Sequence, residues 1–187
     1  MKKIVGIFLI ALFASSFVAA QRVAIASTDA KIQAAIADFD GKVSIYAKNL
    51  DSGKVYSRRG EDQVRTASTI KLAIMAETFR QVAEGKVKWD DPIELTKEKK
   101  QGGSGILFEF SDGTKIDLKT AVNLMIVLSD NTATNLVLDK VTTDAVNDYM
   151  AKLGLNDTLS LRKIGGGGAS KAWTNDQRNR LFGLGRT

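Results

Sequence analysis

Hydrophobic and polar positions alternate with two different periodicities in the first third of the chain, and these periodicities predict its first secondary-structure elements. Apolar residues three to four positions apart predict a helix over about 27–38. Strict alternation over 43–47 predicts a β-strand. Asp-Ser-Gly at 51–53 marks a turn, so residues 55–57 are expected to begin the return strand of a hairpin.

Two long apolar segments in the middle of the chain predict buried helices. The first runs over about 68–84 and ends at Gly85, a residue type common just after helix ends. Its first turns are apolar on nearly every side, which predicts deep burial rather than a surface stripe. Asp117 is a predicted N-cap for the second helix, over about 118–128.

The remaining chain is predicted to be shorter helices and loops. Two short helices are expected over 132–141 and 143–153, the second stopped by Gly154. Polar, glycine-containing sequence predicts loops over about 97–116, and the stretch 160–187 is expected to be irregular.

The N-terminus is typical of a secretory signal peptide. Lys2 and Lys3 precede an apolar run over 4–14, and small residues at 18–20 form a cleavage signal; 24–26 is a second candidate. The run is too short to span a membrane, and the chain has no cysteine for a lipid anchor. We therefore expect export from a bacterium to the periplasm or beyond, without a stable membrane anchor.

These assignments divide the chain into a signal peptide, residues 1–20, and one domain, residues 21–187, which is long enough to bury a core of its own. Loss of Lys2 and Lys3 lowers the formal net charge from +6 to +4. The basic residues are mostly scattered and do not alternate with aromatic residues, so nucleic-acid binding is not predicted. The acidic residues lack metal-ligand spacing, so no metal or cofactor is expected. The oligomeric state stays open.

The absence of histidine and cysteine excludes several chemistries. A Ser-His-Asp triad, a thiol nucleophile, a disulfide and a Cys/His metal site are all ruled out. Nucleophilic chemistry would then need a hydroxyl with a lysine or carboxylate base.

Ser68 and Lys71 offer that combination because positions three apart share a helix face. Free N–H groups and the positive dipole end at the helix start favour developing negative charge beside Ser68. The same dipole and apolar surroundings should lower the pKa of Lys71 towards that of a usable base. The alternative is an ordinary N-cap serine and a surface lysine.

A second motif, Ser129-Asp130-Asn131, lies between two predicted helices. All three residue types form turns and caps, so each alone could be purely structural.

Together, Ser68-x-x-Lys71 and Ser129-Asp130-Asn131 resemble two of the three signatures of class A β-lactamases and related penicillin-recognising serine hydrolases. Flanking sequence extends the resemblance: Arg-Thr-Ala at 65–67, Gly-Ser-Gly-Ile-Leu at 103–107, and Thr-Ala-Thr-Asn-Leu at 132–136. The resemblance covers residue 28 to the last residue.

The resemblance implies a role for each matching residue. Ser68 would be the acylated nucleophile, and Lys71 its base or proton relay. Ser129 would pass a proton to the departing lactam nitrogen. Asn131 would orient Lys71 and bind the substrate's side-chain amide, whereas Asp130 is interpreted as a structural cap.

The sequence departs from the family in two places. The third signature, K-[ST]-G, is absent, and the family carries it on a late strand beyond the point where this chain stops. Active lactamases of the family also carry a glutamate on an irregular loop, where it activates the deacylating water. The matching region, about 162–179, has no glutamate and only one acid, Asp176.

The resemblance implies an α+β fold, with a mostly helical subdomain over about 60–160 and an α/β subdomain that this chain leaves incomplete. The leading hypothesis is acyl transfer from a β-lactam to Ser68, followed by hydrolysis. A second hypothesis is a penicillin-binding relative that acts on peptidoglycan-like peptides and deacylates slowly, as the missing glutamate favours. A third is an inactive fragment or binding module.

Overall fold

The computed structural model describes residues 28–174, which divide at Gln63 into two compact units. In the first unit, helix α1 occupies 28–35, close to the prediction. Strands β1 (Ile45–Lys48) and β2 (Val55–Arg58) pair antiparallel, with Lys48 opposite Val55. The predicted hairpin is therefore confirmed, although β1 begins two residues later than expected.

Local polar contacts hold this first unit together. The Asn49 side chain accepts hydrogen bonds from the N–H of Ser52, at 2.7 Å, and from its hydroxyl, at 2.8 Å. Gly53 has a φ of +68°, a left-handed conformation that favours glycine. The Tyr56 hydroxyl donates to Asp29 at 2.8 Å, which ties β2 to α1.

The second unit is built from four helices: α2 (Ile70–Ala83), α3 (Leu118–Val127), α4 (Asn131–Val141) and α5 (Thr143–Lys152). The predicted ends are close to these bounds because local signals set them. Asp117 caps α3 by accepting from Thr120 N–H at 2.7 Å. The glycines after α2 and α5 have φ values of +71° and +78°.

A small antiparallel sheet of β3 (Pro92–Glu94) and β4 (Lys115–Asp117) also lies in this unit. The sequence prediction missed it because strands of three residues are too short to show alternation. Two 3-10 turns, Lys97–Lys99 and Leu107–Glu109, interrupt the predicted loop region between these strands.

The hydrophobic core lies between the helices of this unit. Full burial of one large aliphatic side chain stabilises a fold by about 1.5–3 kcal/mol. The largest fully buried apolar side chains are Ile74, Leu95, Leu107, Leu118, Met125, Leu136, Val137, Val141 and Val146. Among residues 28–174, no helix is long and apolar enough to cross a membrane.

Helix α2 departs from the prediction that its first turns are buried all round. Leu72 is 59% exposed, and Phe79, two turns further on, is 55% exposed. Ala73, Ile74 and Lys71 are buried, as the sequence predicted for the first turns, but three further polar residues are buried as well: Glu77, Thr78 and Gln81. The prediction for these three weighed hydrophobicity alone, but polar groups can be buried when they satisfy one another.

A hydrogen-bonded cluster explains how α2 buries polar groups. Arg80 donates to both oxygens of the fully buried Glu77 carboxylate, at 2.6 and 2.7 Å. The Gln81 amide donates to Glu77 at 2.6 Å and to the Val141 carbonyl at 3.0 Å. The cluster therefore fastens α2 to the last turn of α4.

Candidate active site

Ser68 lies in a 3-10 turn, Ala67–Thr69, that leads directly into α2. It is exposed, so its hydroxyl is accessible to a ligand. Ala67 has a φ of +46°, which is uncommon for a residue with a side chain. Ser68 thus lies just before the first residue of α2, where backbone N–H groups lack intrahelical partners.

Lys71 is buried one turn into α2, with only 2% of its surface exposed. Its ammonium group donates to the Ser129 carbonyl at 2.5 Å, to the Ser129 hydroxyl at 2.9 Å and to Asn131 Oδ1 at 3.2 Å. All three acceptors come from the second sequence motif, about sixty residues further along the chain. The structure thus brings the two motifs together.

The two serine hydroxyls complete a chain of hydrogen bonds. Ser129 Oγ donates to Ser68 Oγ at 2.9 Å while it accepts from Lys71 Nζ. Helical spacing suggested that Ser68 and Lys71 would touch across one turn. The hydrogen bonds instead connect Lys71 to Ser68 through Ser129, whose backbone φ is +51°.

Burial lowers the pKa of Lys71 below that of an exposed lysine, since the charged amine loses hydration. The negative charge of Asp130 acts in the opposite direction and raises the pKa in part. The sequence prediction of a lowered pKa therefore agrees with the structure. A lowered pKa increases the fraction of neutral amine, the form that accepts a proton.

Asp130 organises the backbone around the site and does not face the two hydroxyls. Its buried carboxylate caps α4 by accepting from Ala133 N–H at 2.8 Å. It also accepts from Ile106 N–H at 2.7 Å and Leu107 N–H at 2.8 Å. A Cβ at Gly105, whose φ is +93°, would overlap this carboxylate. Asp130 is the structural cap that the sequence indicated.

Asn131 is the first residue of α4, and hydrogen bonds fix both its side chain and its backbone. Its amide nitrogen donates to the Gly102 carbonyl at 3.0 Å, and its backbone N–H donates to the Ser104 carbonyl at 3.1 Å. The amide oxygen therefore faces Lys71, as the contact of 3.2 Å records.

Sequence reasoning missed Asn135, which fixes the following loop. Its amide nitrogen donates to the Ile164 carbonyl and its amide oxygen accepts from the Ile164 N–H, both at 2.9 Å. Its position, one turn after Asn131, was the available signal. Next to Ile164, the backbone at Gly165 approaches the Gln101 side chain so closely that a Cβ would overlap it.

The described part of this loop has no glutamate, and Asp176 lies outside the described residues, as do the predicted signal peptide and the last residues of the chain. No group of three or more acidic side chains within 28–174 is placed to hold a metal ion.

Comparison with known families agrees with the two motifs. The sequence model of the β-lactamase enzyme family matches residues 27–181. The chain belongs to this family. The expected α+β, β-lactamase-like fold is thereby confirmed, together with the resemblance to class A enzymes.

Solved structures of a β-lactamase and of PBP-A resemble the chain over about half of their own length. A β-lactamase from Sphaerobacter thermophilus is 38% identical with a TM-score of 0.67, over 73% of this chain and 51% of that one. PBP-A is 27% identical with a TM-score of 0.66, over 72% and 51%. A PBP-A variant solved as an acyl-enzyme complex with penicillin G is 28% identical with a TM-score of 0.61, over 66% and 48%.

Among curated proteins, β-lactamase SME-1 from Serratia marcescens is 22% identical over 122 residues. The match covers 64% of this chain and 41% of SME-1. The chain therefore spans less than half of this curated β-lactamase.

Proposed function

We propose that the chain carries the acylation centre of a serine hydrolase that acts on β-lactams, with Ser68 as the nucleophile. The observation that carries the proposal is the hydrogen-bonded chain from buried Lys71 through Ser129 to exposed Ser68. It supplies a nucleophile, a proton carrier and a base in contact, as covalent catalysis by a hydroxyl requires. Membership of the β-lactamase family supports the β-lactam as substrate.

The first step is attack of Ser68 Oγ on the lactam carbonyl carbon. The hydroxyl proton passes to Ser129 Oγ as the Ser129 proton passes to neutral Lys71, so that Lys71 becomes an ammonium ion. The carbonyl oxygen gains negative charge, which free backbone N–H groups at the start of α2 stabilise.

The second step breaks the lactam C–N bond and leaves an ester on Ser68. Ser129 Oγ gives its proton to the departing nitrogen and regains one from the Lys71 ammonium. The relay thereby returns to its starting protonation state. Asn131 keeps Lys71 beside Ser129 and presents its amide to the substrate.

A second candidate is a penicillin-binding relative that is acylated readily but hydrolyses its ester slowly, with peptidoglycan-like peptides as natural substrates. The sequence of the matching loop, about 162–179, supports it, because this segment contains no glutamate to activate water. Similarity to PBP-A supports it further, since a PBP-A variant was captured as an acyl-enzyme with penicillin G.

We further propose that residues 1–20 direct export and that residues 21–187 form the hydrolase domain. The charged start and apolar run of the first segment support the former. The family match over 27–181 supports the latter.

Intact-mass measurement after incubation with benzylpenicillin tests the nucleophile. Ring opening expels no fragment, so the protein should gain the full mass of the drug. Ser68→Ala should abolish the adduct, while Ser111→Ala, an exposed serine elsewhere in the same unit, should retain it. An adduct on the Ser68 variant would exclude Ser68. A wild-type protein that gains no mass would support an inactive fragment or binding module.

A further inference from the structure

Thr132 is a fully buried threonine whose hydroxyl bonds to the backbone of another segment. Its Oγ1 accepts from the Gln101 N–H at 2.8 Å and donates to the Gln101 carbonyl at 3.1 Å. The buried threonines Thr78 and Thr134 instead donate to the carbonyl four residues earlier in the chain, at 2.8 and 2.7 Å. The Thr132 hydroxyl therefore joins the first turn of α4 to a residue 31 positions earlier.

The segment that Thr132 holds also holds the side chain of Asn131. The carbonyl of Gly102, next to Gln101, accepts from Asn131 Nδ2 at 3.0 Å. The backbone at Gly103 packs so closely against this nitrogen that a Cβ there would lie 3.2 Å from it. A carbonyl oxygen bonds the nitrogen end of an amide and not the oxygen end. The Gly102 carbonyl therefore determines which end of the Asn131 amide faces Lys71.

The orientation of this amide matters for the amine beside it. Asn131 Oδ1 accepts from Lys71 Nζ at 3.2 Å. An amide turned the other way would direct N–H groups at Lys71, whose ammonium form has donors and no acceptor. Lys71 would then lose one of the three contacts that hold it beside Ser129.

We propose that Thr132 is a positioning residue of the acylation centre. By holding Gln101, its hydroxyl keeps the Gly102 carbonyl on the Asn131 amide. That carbonyl in turn keeps the Asn131 oxygen on Lys71. This inference rests on the proposed function, in which Lys71 is the base.

Thr132→Val tests the proposal, because valine has nearly the shape of threonine and lacks the hydroxyl. The part-buried N–H and carbonyl of Gln101 would lose this partner, which is unfavourable, so the backbone should move towards water. The adjacent Gly102 carbonyl should move with it. Thr132→Ser keeps the hydroxyl and should behave like the wild type. Should valine prevent folding, Thr132→Ala removes the same hydroxyl without adding a methyl group, and the same results are expected.

NMR of the ¹⁵N-labelled Asn131 side chain measures the contact directly, whether or not the protein reacts with a β-lactam. In the wild type, the Nδ2 hydrogen bonded to Gly102 should exchange slowly with solvent. Thr132→Val should exchange it at least about tenfold faster, since the hydrogen bond that protects it is lost. Thr132→Ser should show the wild-type rate.

Acylation by benzylpenicillin, followed by intact mass, measures the consequence for the proposed centre. Thr132→Val should react about ten- to a hundredfold more slowly, because a displacement of about 1 Å in a catalytic group can cost that much. Thr78→Val is the matched control: Thr78 is equally buried, but its hydroxyl donates to the Ile74 carbonyl within α2. This variant should react like the wild type.

Unchanged exchange of the Asn131 amide in Thr132→Val would overturn the proposal. Faster exchange with acylation at the wild-type rate would also overturn it, as would equal slowing in Thr78→Val, which a general loss of stability would produce. A wild-type protein that gains no adduct would contradict the acylation function. In that case the amide exchange would still decide whether Thr132 positions Asn131.

Discussion

Ser129→Ala removes one hydroxyl from the centre of the proposed proton relay and leaves the surrounding contacts in place. Lys71 keeps two of its three acceptors, the residue-129 carbonyl at 2.5 Å and Asn131 Oδ1 at 3.2 Å. Alanine meets the same backbone cost as serine at a φ of +51°, because both carry a Cβ. We therefore expect a folded variant with Lys71 in position.

Acylation should nevertheless slow strongly in this variant. A positioned acid–base group contributes about 10²- to 10⁴-fold to a rate, which corresponds to roughly 2.7–5.5 kcal/mol of activation free energy. Because the hydrogen bonds connect Lys71 to Ser68 through Ser129, loss of that hydroxyl should remove most of this contribution. In the proposed mechanism the same hydroxyl also protonates the leaving nitrogen, so the substitution should affect both steps.

The second-order rate constant for acylation by a fluorescent penicillin, followed by time-resolved intact mass, measures the effect. Ser104→Ala is the control: its carbonyl binds Asn131 N–H, but its hydroxyl makes only a 3.4 Å contact with the Leu128 carbonyl. That variant should react like the wild type. If Ser129→Ala reacted within about threefold of the wild type, proton transfer through Ser129 would be wrong and Lys71 would act on Ser68 directly.

Two further predictions follow from the same site. The acylation rate should rise with pH, because only the neutral amine of Lys71 accepts a proton. The midpoint of that rise should lie below the ordinary lysine pKa of about 10.4, since burial lowers the pKa of Lys71. A midpoint at or above that value in a pH–rate profile would contradict this. Asn135→Ala should lower the free energy of unfolding by about 1–3 kcal/mol, because it leaves the part-buried N–H and carbonyl of Ile164 without their side-chain partners. An unchanged midpoint of chemical denaturation would refute the second prediction.

Local signals predicted much of the fold. The cap at Asp117 and the glycines at 85 and 154 act within a few residues, so the sequence alone placed the ends of α2, α3 and α5 closely. The hairpin of β1 and β2 followed from alternation and a turn. The pair β3–β4 did not, because its three-residue strands depend on pairing between segments more than twenty positions apart.

The residues of the candidate site could be predicted from the sequence, but the hydrogen bonds between them could be predicted less well. Helical spacing predicted that Ser68 and Lys71 lie close together, and the family resemblance predicted that Ser129 and Asn131 belong to the same site. The route through Ser129 required the tertiary fold, which places that serine between the other two. Likewise, the contact between Glu77 and Arg80 has an ordinary helical spacing, but the bond from Gln81 to the Val141 carbonyl joins residues 60 positions apart.

The left-handed backbone at Ala67 and Ser129 sets a limit on how far this protein could be stabilised without harm. Each residue holds a conformation that costs about 1–2 kcal/mol for a side chain with a Cβ; Ala67 precedes Ser68, and Ser129 carries the second hydroxyl itself. Glycine at position 67 would relieve that cost but free the backbone that positions Ser68. Glycine at position 129 would relieve it but remove the hydroxyl between Lys71 and Ser68. Selection for heat resistance alone would therefore favour substitutions that disorder the relay, so thermostability and reactivity compete at these two positions.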